Sequence, residues 1–334
     1  MGNFDHLVAV QLMQILILTP VPSGSTRGNN ITAERWQRML QSQGHKVDVK
    51  RVALDPLPED LQFVIALHGV HNSQAIENLR RQRPNLKIAI CMSGTDLYRL
   101  SVEANESDVQ RIHKSWEVAD KIILLEPNAQ KLVSKQHQQK CVVVIQSSEP
   151  IALPRTLSSD NFVVSVLGHL RPVKDPFRTA SASRLLPASS QAKVIHVGAA
   201  LTSTMEQQAT LESTTNPRYE WLGAVSHSQA LTIMVNSHLT VLSSLHEGGP
   251  SVISEAVVNR VPILTSRIRS CVGLLGEDYQ GYFEVGNSQQ LADLIWRAES
   301  DAEFLPELER SLDQRASRFT QESELAALKT LLEA

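Results

Sequence analysis

Short apolar runs rich in valine, isoleucine and leucine alternate along this chain with longer stretches whose apolar positions recur every three or four residues. The first pattern is that of buried strands, the second that of amphipathic helices. In the first half the apolar runs predict strands at 15–19, 46–52, 63–67, 87–91, 121–125 and 141–145. A helix is predicted over 32–42, with Trp36, Met39 and Leu40 on one face. The alternation breaks over 147–154 and 158–161, polar and proline-bearing segments that read as an interdomain linker. It restarts with strands at 162–167, 193–197, 219–222, 239–242, 262–265 and 282–285. An amphipathic helix follows over 289–298, then a charged helical stretch over 307–333 with Leu325, Leu328, Leu331 and Leu332 apolar. This predicts an α/β protein: two Rossmann-like, doubly wound parallel-sheet domains with a ligand cleft between the carboxyl ends of their strands. The first is expected over 1–155, joined by the C-terminal helix 315–334, and the second over 156–314.

A chain of 334 residues has room for two such domains, and 42% hydrophobic with 20% charged residues describes a soluble globular protein. A formal net charge of −3 gives no sign of a general nucleic-acid or membrane surface. The three cysteines, Cys91, Cys141 and Cys271, are odd in number and widely spaced. Cys91 and Cys141 sit in apolar runs, so buried free thiols and a reducing compartment, the cytoplasm, are expected. No segment has the length of a membrane span, and the first residues lack the positive stretch of a signal peptide.

The segment Ser244-Leu245-His246-Glu247-Gly248-Gly249-Pro250-Ser251, with Glu255 beyond it, reads as strand end, tight turn and helix start. Backbone amides and the positive end of a helix converge at such a place and favour anions. Carboxylates on either side suit a ligand with hydroxyls at both ends and phosphates between, although acids in such units are also commonly just solvated. After the strand at 162–167, Gly168 permits close backbone approach, and Arg171 and Lys174 can neutralise phosphate oxygens. The loop after the first strand offers Arg27, Gly28, Asn29 and Asn30, with Asn30 or Thr32 as the expected cap of the next helix. Ser93, Thr95, Asp96 and Arg99 follow the fourth strand, where they could bind a polar ligand or simply cap a helix. His68 and His71 follow the third strand. There is no Asp-x-Asp for a metal-bridged diphosphate, no Gly-x-Gly-x-x-Gly after the first strand, no Walker loop and no zinc spacing. No Asp/His pair stands out as a catalytic base.

Gly168 to Lys174, then Trp221-Leu222-Gly223, then Glu247 and Glu255, resemble the donor domain of the GT-B glycosyltransferases of family 4. The resemblance implies a GT-B fold with an acceptor-binding first domain and a donor-binding second domain. It implies that Glu247 contacts the donor sugar, Glu255 the ribose, and Lys174 with Arg171 the diphosphate. Gly168, Leu222, Gly248, Gly249, Pro250 and Ser251 complete the implied donor site. Two positions depart from the family: His169 stands where an arginine usually follows the glycine, and Glu-Gly-Phe-Gly becomes Glu247-Gly248-Gly249-Pro250. A resemblance along nearly the whole chain is to the selenosugar synthases of selenoneine biosynthesis. It rests on Ser93-Gly94-Thr95-Asp96-Leu97-Tyr98, Gly168-His169-Leu170-Arg171, Pro217-Arg218-Tyr219-Glu220-Trp221-Leu222-Gly223, Glu247-Gly248-Gly249 and the segment 272–283.

That subfamily implies a UDP-sugar donor, UDP-N-acetylglucosamine, and selenophosphate as acceptor, giving a 1-seleno sugar with loss of UDP and phosphate. No cofactor and no metal are expected. Arg27, Gly28, Asn29, Asn30, Thr95, Asp96 and Arg99 are the candidate acceptor contacts. Glu247, Arg171, Lys174 and His68 are the candidate catalytic residues. An anionic selenium needs little help from a base. A carbohydrate or other hydroxyl acceptor, a UDP-sugar-binding protein without turnover and a nucleotide-sugar epimerase remain the alternatives.

Overall fold

A computed structural model describes residues 12–20, 28–51, 56–101, 105–152 and 154–333, apart from the side chains of Arg99 and Ser101. The first sheet contains β1 (Gln14–Leu18), β2 (Lys46–Lys50), β3 (Leu61–Leu67), β4 (Lys87–Cys91), β5 (Lys121–Leu124) and β6 (Cys141–Val143). Its order is β2-β1-β3-β4-β5-β6. β1 lies parallel to both β2 and β3, with Ile15 opposite Val47 on one side and Phe63 on the other. Every residue of β1 is buried, as expected of a parallel strand covered on both faces. The helices α1 (Gly28–Ser42), α2 (Gly69–Gln82), α3 (Gly94–Ser101) and α4 (Glu106–Val118) fill the crossovers. Trp36 from α1 and Trp116 from α4 are among the largest fully buried side chains.

The second sheet contains β7 (Phe162–Leu167), β8 (Ala192–Val197), β9 (Tyr219–Trp221), β10 (Leu239–Leu242), β11 (Ile263–Ser266) and β12 (Tyr282–Phe283). Its order, β9-β8-β7-β10-β11-β12, is that of a dinucleotide-type doubly wound sheet. Its helices are α5 (Arg178–Ser183), α6 (Ser203–Thr215), α7 (His227–Val235), α8 (Ser251–Val258), α9 (Arg269–Leu275), α10 (Ser288–Ser300) and α11 (Phe304–Asp313), and α12 (Gln321–Glu333) is divided between the two units. In the second sheet the strand order reverses between β7 and β10, which pair directly, Val166 opposite Val241. In the first it reverses between β1 and β3, Ile17 opposite Ile65. Sheets of this kind bind ligands outside the carboxyl ends of the strands at such reversals.

One compact unit takes in the chain to Leu124, Ser134–Val142 and the residues from Ala327 on; the other takes in Leu125–Val133 and Val143–Ala326. The expected linker therefore packs with the second unit. Ser147 donates its amide and hydroxyl to Glu324 Oε2 at 2.8 and 2.5 Å, and the Ile151 amide donates to Asn259 Oδ1 at 2.8 Å. The amides of Ser147, Ser148 and Ile151 are thus paired within the second unit, which fastens this stretch to it. α1 begins at Gly28, four residues earlier than predicted, which places Asn29 and Asn30 in its first turn. The helical stretch predicted over 307–333 breaks into α11, a 3-10 turn at Ala316–Phe319 and α12. No helix among the described residues is long and apolar enough to cross a membrane.

Candidate active site

The reversal point of the second sheet is built from the segments that follow β7 and β10. Beyond β7 the chain passes Gly168 and makes a 3-10 turn at Pro172–Lys174 that ends on Asp175 in the left-handed region (φ 44°). Beyond β10, Ser243 Oγ donates to the carbonyls of Lys174 and Asp175 at 3.1 and 3.0 Å, and the Leu245 amide donates to the Val173 carbonyl at 2.9 Å. The two segments are thus stitched together by one backbone pair and the Ser243 hydroxyl. Between them the Lys174 ammonium donates to Glu247 Oε1 at 2.5 Å, and Ser244 Oγ donates to the same oxygen at 2.7 Å. Ser244 is itself held through its carbonyl by Ser266 Oγ at 2.5 Å. Burial pushes the Glu247 carboxyl up; the Lys174 charge and hydrogen bond, the Ser244 hydroxyl and the Arg171 charge overcome this and hold it below the usual carboxylate range. Glu247 is therefore ionised at neutral pH. Arg171 is exposed beside it.

The turn Gly248-Gly249-Pro250 then leads into α8, whose first residue, Ser251, is exposed and whose cap, Pro250, has no side-chain hydrogen bond. Gly249 is packed so closely that an added Cβ would lie 2.6 Å from Leu125 Cβ. Glu255, one turn into α8, is buried, with His227 Nε2 3.8 Å from its carboxylate. Leu222, following β9, and Leu245 are exposed apolar side chains. The arrangement can accept hydroxyls at Glu247 and Glu255 and screen negative charge at Arg171, Lys174 and the α8 N-terminus.

In the first unit, His68 ends β3 with φ 83°, a conformation a non-glycine residue adopts only at a cost of order 1–3 kcal/mol. Its Nδ1 lies 2.8 Å from Asp96 Oδ1 and donates its proton there; the His71 amide, 3.5 Å from the same nitrogen, is too distant to compete. Its Nε2 lies 3.1 Å from Thr95 Oγ1, which in turn is 3.0 Å from Ser93 Oγ. Asp96 is fully buried and also accepts from the amides of Gly69, Val70 and Ser93 and from Ser93 Oγ, at 2.8 to 3.1 Å. Burial raises the Asp96 carboxyl, but the His68 bond and charge and these amides outweigh it and keep it ionised well into acid.

Residues 147–319 match the family described as Glycosyl transferases group 1. The chain belongs to that family. One curated relative is TuaC of Bacillus subtilis (strain 168), named for teichuronic acid biosynthesis. It is 26% identical over 163 residues, which span 49% of this chain and 39% of that relative. Among solved structures, sucrose-phosphate synthase (tll1590) from Thermosynechococcus elongatus is similar with a TM-score of 0.78 and 16% identity, covering 96% of this chain and 98% of that one. Anabaena Alr3699/HepE in complex with UDP-glucose is similar with a TM-score of 0.71 and 17% identity, covering 96% and 98%. At these identities the likenesses establish the fold, which is GT-B.

In this member of the group 1 family, the structure brings Gly168, Arg171, Lys174, Glu247, Gly248, Gly249, Pro250, Ser251 and Glu255 to the segments that follow β7 and β10. Three expectations need correction. Asp96 cannot be an acceptor contact: it is sealed from solvent, with its oxygens occupied by α2 amides, Ser93 and His68. The Asp/His pair not evident in sequence exists, formed by Asp96 and His68. Asn30, too, is buried and donates to Glu34 Oε1 at 2.7 Å, while Gly28 and Asn29 begin α1. Arg27 and the Arg99 side chain lie outside the described residues. His169, standing where the family usually has arginine, is no substitute cation: its Nδ1 accepts from the Ala199 amide at 3.0 Å, and burial, then Arg171 and Lys174, lower its pKa. Ser244 and His196 were not singled out from the sequence. The only local signal for His196 was an imidazole inside an apolar strand run.

Proposed function

We propose that this protein is a UDP-sugar-dependent glycosyltransferase in which the selenium of selenophosphate displaces UDP at the anomeric carbon of N-acetylglucosamine, after which water cleaves the Se–P bond to give a 1-seleno sugar and phosphate. The observation that carries the donor half is the Lys174–Glu247–Ser244 cluster beside Arg171 and the α8 N-terminus. An ionised Glu247 accepts hydrogen bonds from sugar hydroxyls, and Glu255 does the same for the ribose. Lys174 and Arg171 neutralise the diphosphate as its bond to the anomeric carbon breaks, assisted by the amides that open α8. With two cations and a helix end available, the reaction requires no metal. Gly168 and Leu222 border the nucleotide. Support for the acceptor is the chain-long resemblance to the selenosugar synthases, and Thr95, exposed on the first unit, is a candidate contact for it.

A second reading is favoured by the Asp96–His68–Thr95 chain. It can take a proton from a hydroxyl acceptor, a service an anionic selenium does not require. The test is incubation with UDP-N-acetylglucosamine, with and without a chelator, and either selenophosphate or a panel of sugars. UDP release with a seleno sugar detected by mass supports the first reading, while UDP release with sugars alone supports the second. No UDP release with any acceptor overturns both.

A further inference from the structure

We infer that His196, buried beneath the donor site, is a positioning residue that aims the backbone amide of His169 at the donor diphosphate. His196 lies in β8 and is sealed from solvent. Its Nε2 is 3.0 Å from the Gly168 carbonyl and its Nδ1 2.9 Å from the Tyr219 hydroxyl. A carbonyl only accepts, so Nε2 carries the proton and Nδ1 receives that of Tyr219. Both nitrogens are thereby committed, and the imidazole holds the Gly168 carbonyl toward β8.

The consequence follows from peptide geometry. In a planar trans peptide the C=O and the following N–H point in opposite directions. Fixing the Gly168 carbonyl on His196 therefore turns the His169 N–H away from it, and that amide meets no acceptor among the described residues. Gly198, directly after β8, packs against the same peptide. A Cβ there would fall 2.0 Å from the Gly168 oxygen and 2.8 Å from the His169 nitrogen, so only glycine lets β8 approach this peptide. Gly198 is held in turn by Trp221 Nε1, which donates to its carbonyl at 2.8 Å. The His169 ring is drawn off to the Ala199 amide, leaving its backbone as the polar group presented beside Arg171 and Lys174. An N–H fixed next to two cations suits an anion with several oxygens, the diphosphate of a nucleotide.

This rests on the donor-site reading, and the experiment separates the two. UDP would be titrated by calorimetry into the full chain and into His196→Leu, His196→Gln, Tyr219→Phe and Lys174→Ala. His196→Leu removes the donor to Gly168 and should raise the Kd for UDP about tenfold, 1.4 kcal/mol at 25 °C. His196→Gln restores an N–H at the Nε2 position and should bind within about threefold of wild type, a rescue that mere filling of the core would not give. A folded His196→Leu with wild-type affinity, or His196→Gln as weak as His196→Leu, overturns the inference. Should His196→Leu fail to fold, Tyr219→Phe carries the test: weakened UDP binding supports the relay, and wild-type affinity overturns it. Wild-type affinity in Lys174→Ala would remove the donor reading and this inference with it. Weakening in Lys174→Ala beside full affinity in His196→Leu removes the inference alone.

Discussion

Glu247 and Asp96 are both shielded carboxylates kept ionised against desolvation, yet they do different work. Glu247 has one oxygen engaged by Lys174 and Ser244 and borders the site, so a ligand can reach it. Asp96 has both oxygens consumed by the protein and acts only through His68. We expect Glu247→Ala and Lys174→Ala each to lower turnover about 100-fold or more, the scale of losing one charged contact to a developing charge. Circular dichroism and thermal melts should show both variants folded. Wild-type-like rates of UDP release from either would refute the donor assignment.

Among the elements, the short turn before α8 is positioned from outside its own sequence. Glu126, fully buried, accepts from Arg269 Nε at 2.9 Å and from the Asn128 amide at 2.6 Å, which pins the segment carrying Leu125 to α9. Leu125 then sets the floor under Gly249. Gly249→Ala should overpack this contact, costing about 1–3 kcal/mol in denaturant unfolding and displacing the turn. Adding Leu125→Ala makes room for the new methyl, so the double variant should recover part of the loss of UDP binding. Strictly additive effects would show that the two residues are not coupled.

For the molecule as a whole, pH is the informative variable. Burial lowers His196 from 6.5 to about 4, so the unfolded chain takes up a proton that the native chain refuses between those values. Stability is then complete above pH 6.5 and declines as pH falls toward 4, by roughly 3 kcal/mol from this group. His169 and His238, lowered chiefly by burial, act in the same direction. Denaturant midpoints between pH 7 and 4.5 should fall in wild type and fall less in His196→Gln; parallel slopes would contradict this. The alternation of apolar runs with helical periods was enough, by itself, to give twelve strands, parallel sheets and the strand–turn–helix around Glu247, because those signals are local and repeat every two or three to four residues. Short-range pattern carries no information on which distant residues meet. Asp96 reaches His68 and His196 reaches Gly168 because neighbouring parallel strands bring the segments at their ends together, and Lys174 reaches Glu247 because the strand order reverses between β7 and β10. The tertiary structure alone decided that Asp96 is sealed, that His169 is not a cation for phosphate, and that a buried imidazole underlies the glycine that sequence had singled out.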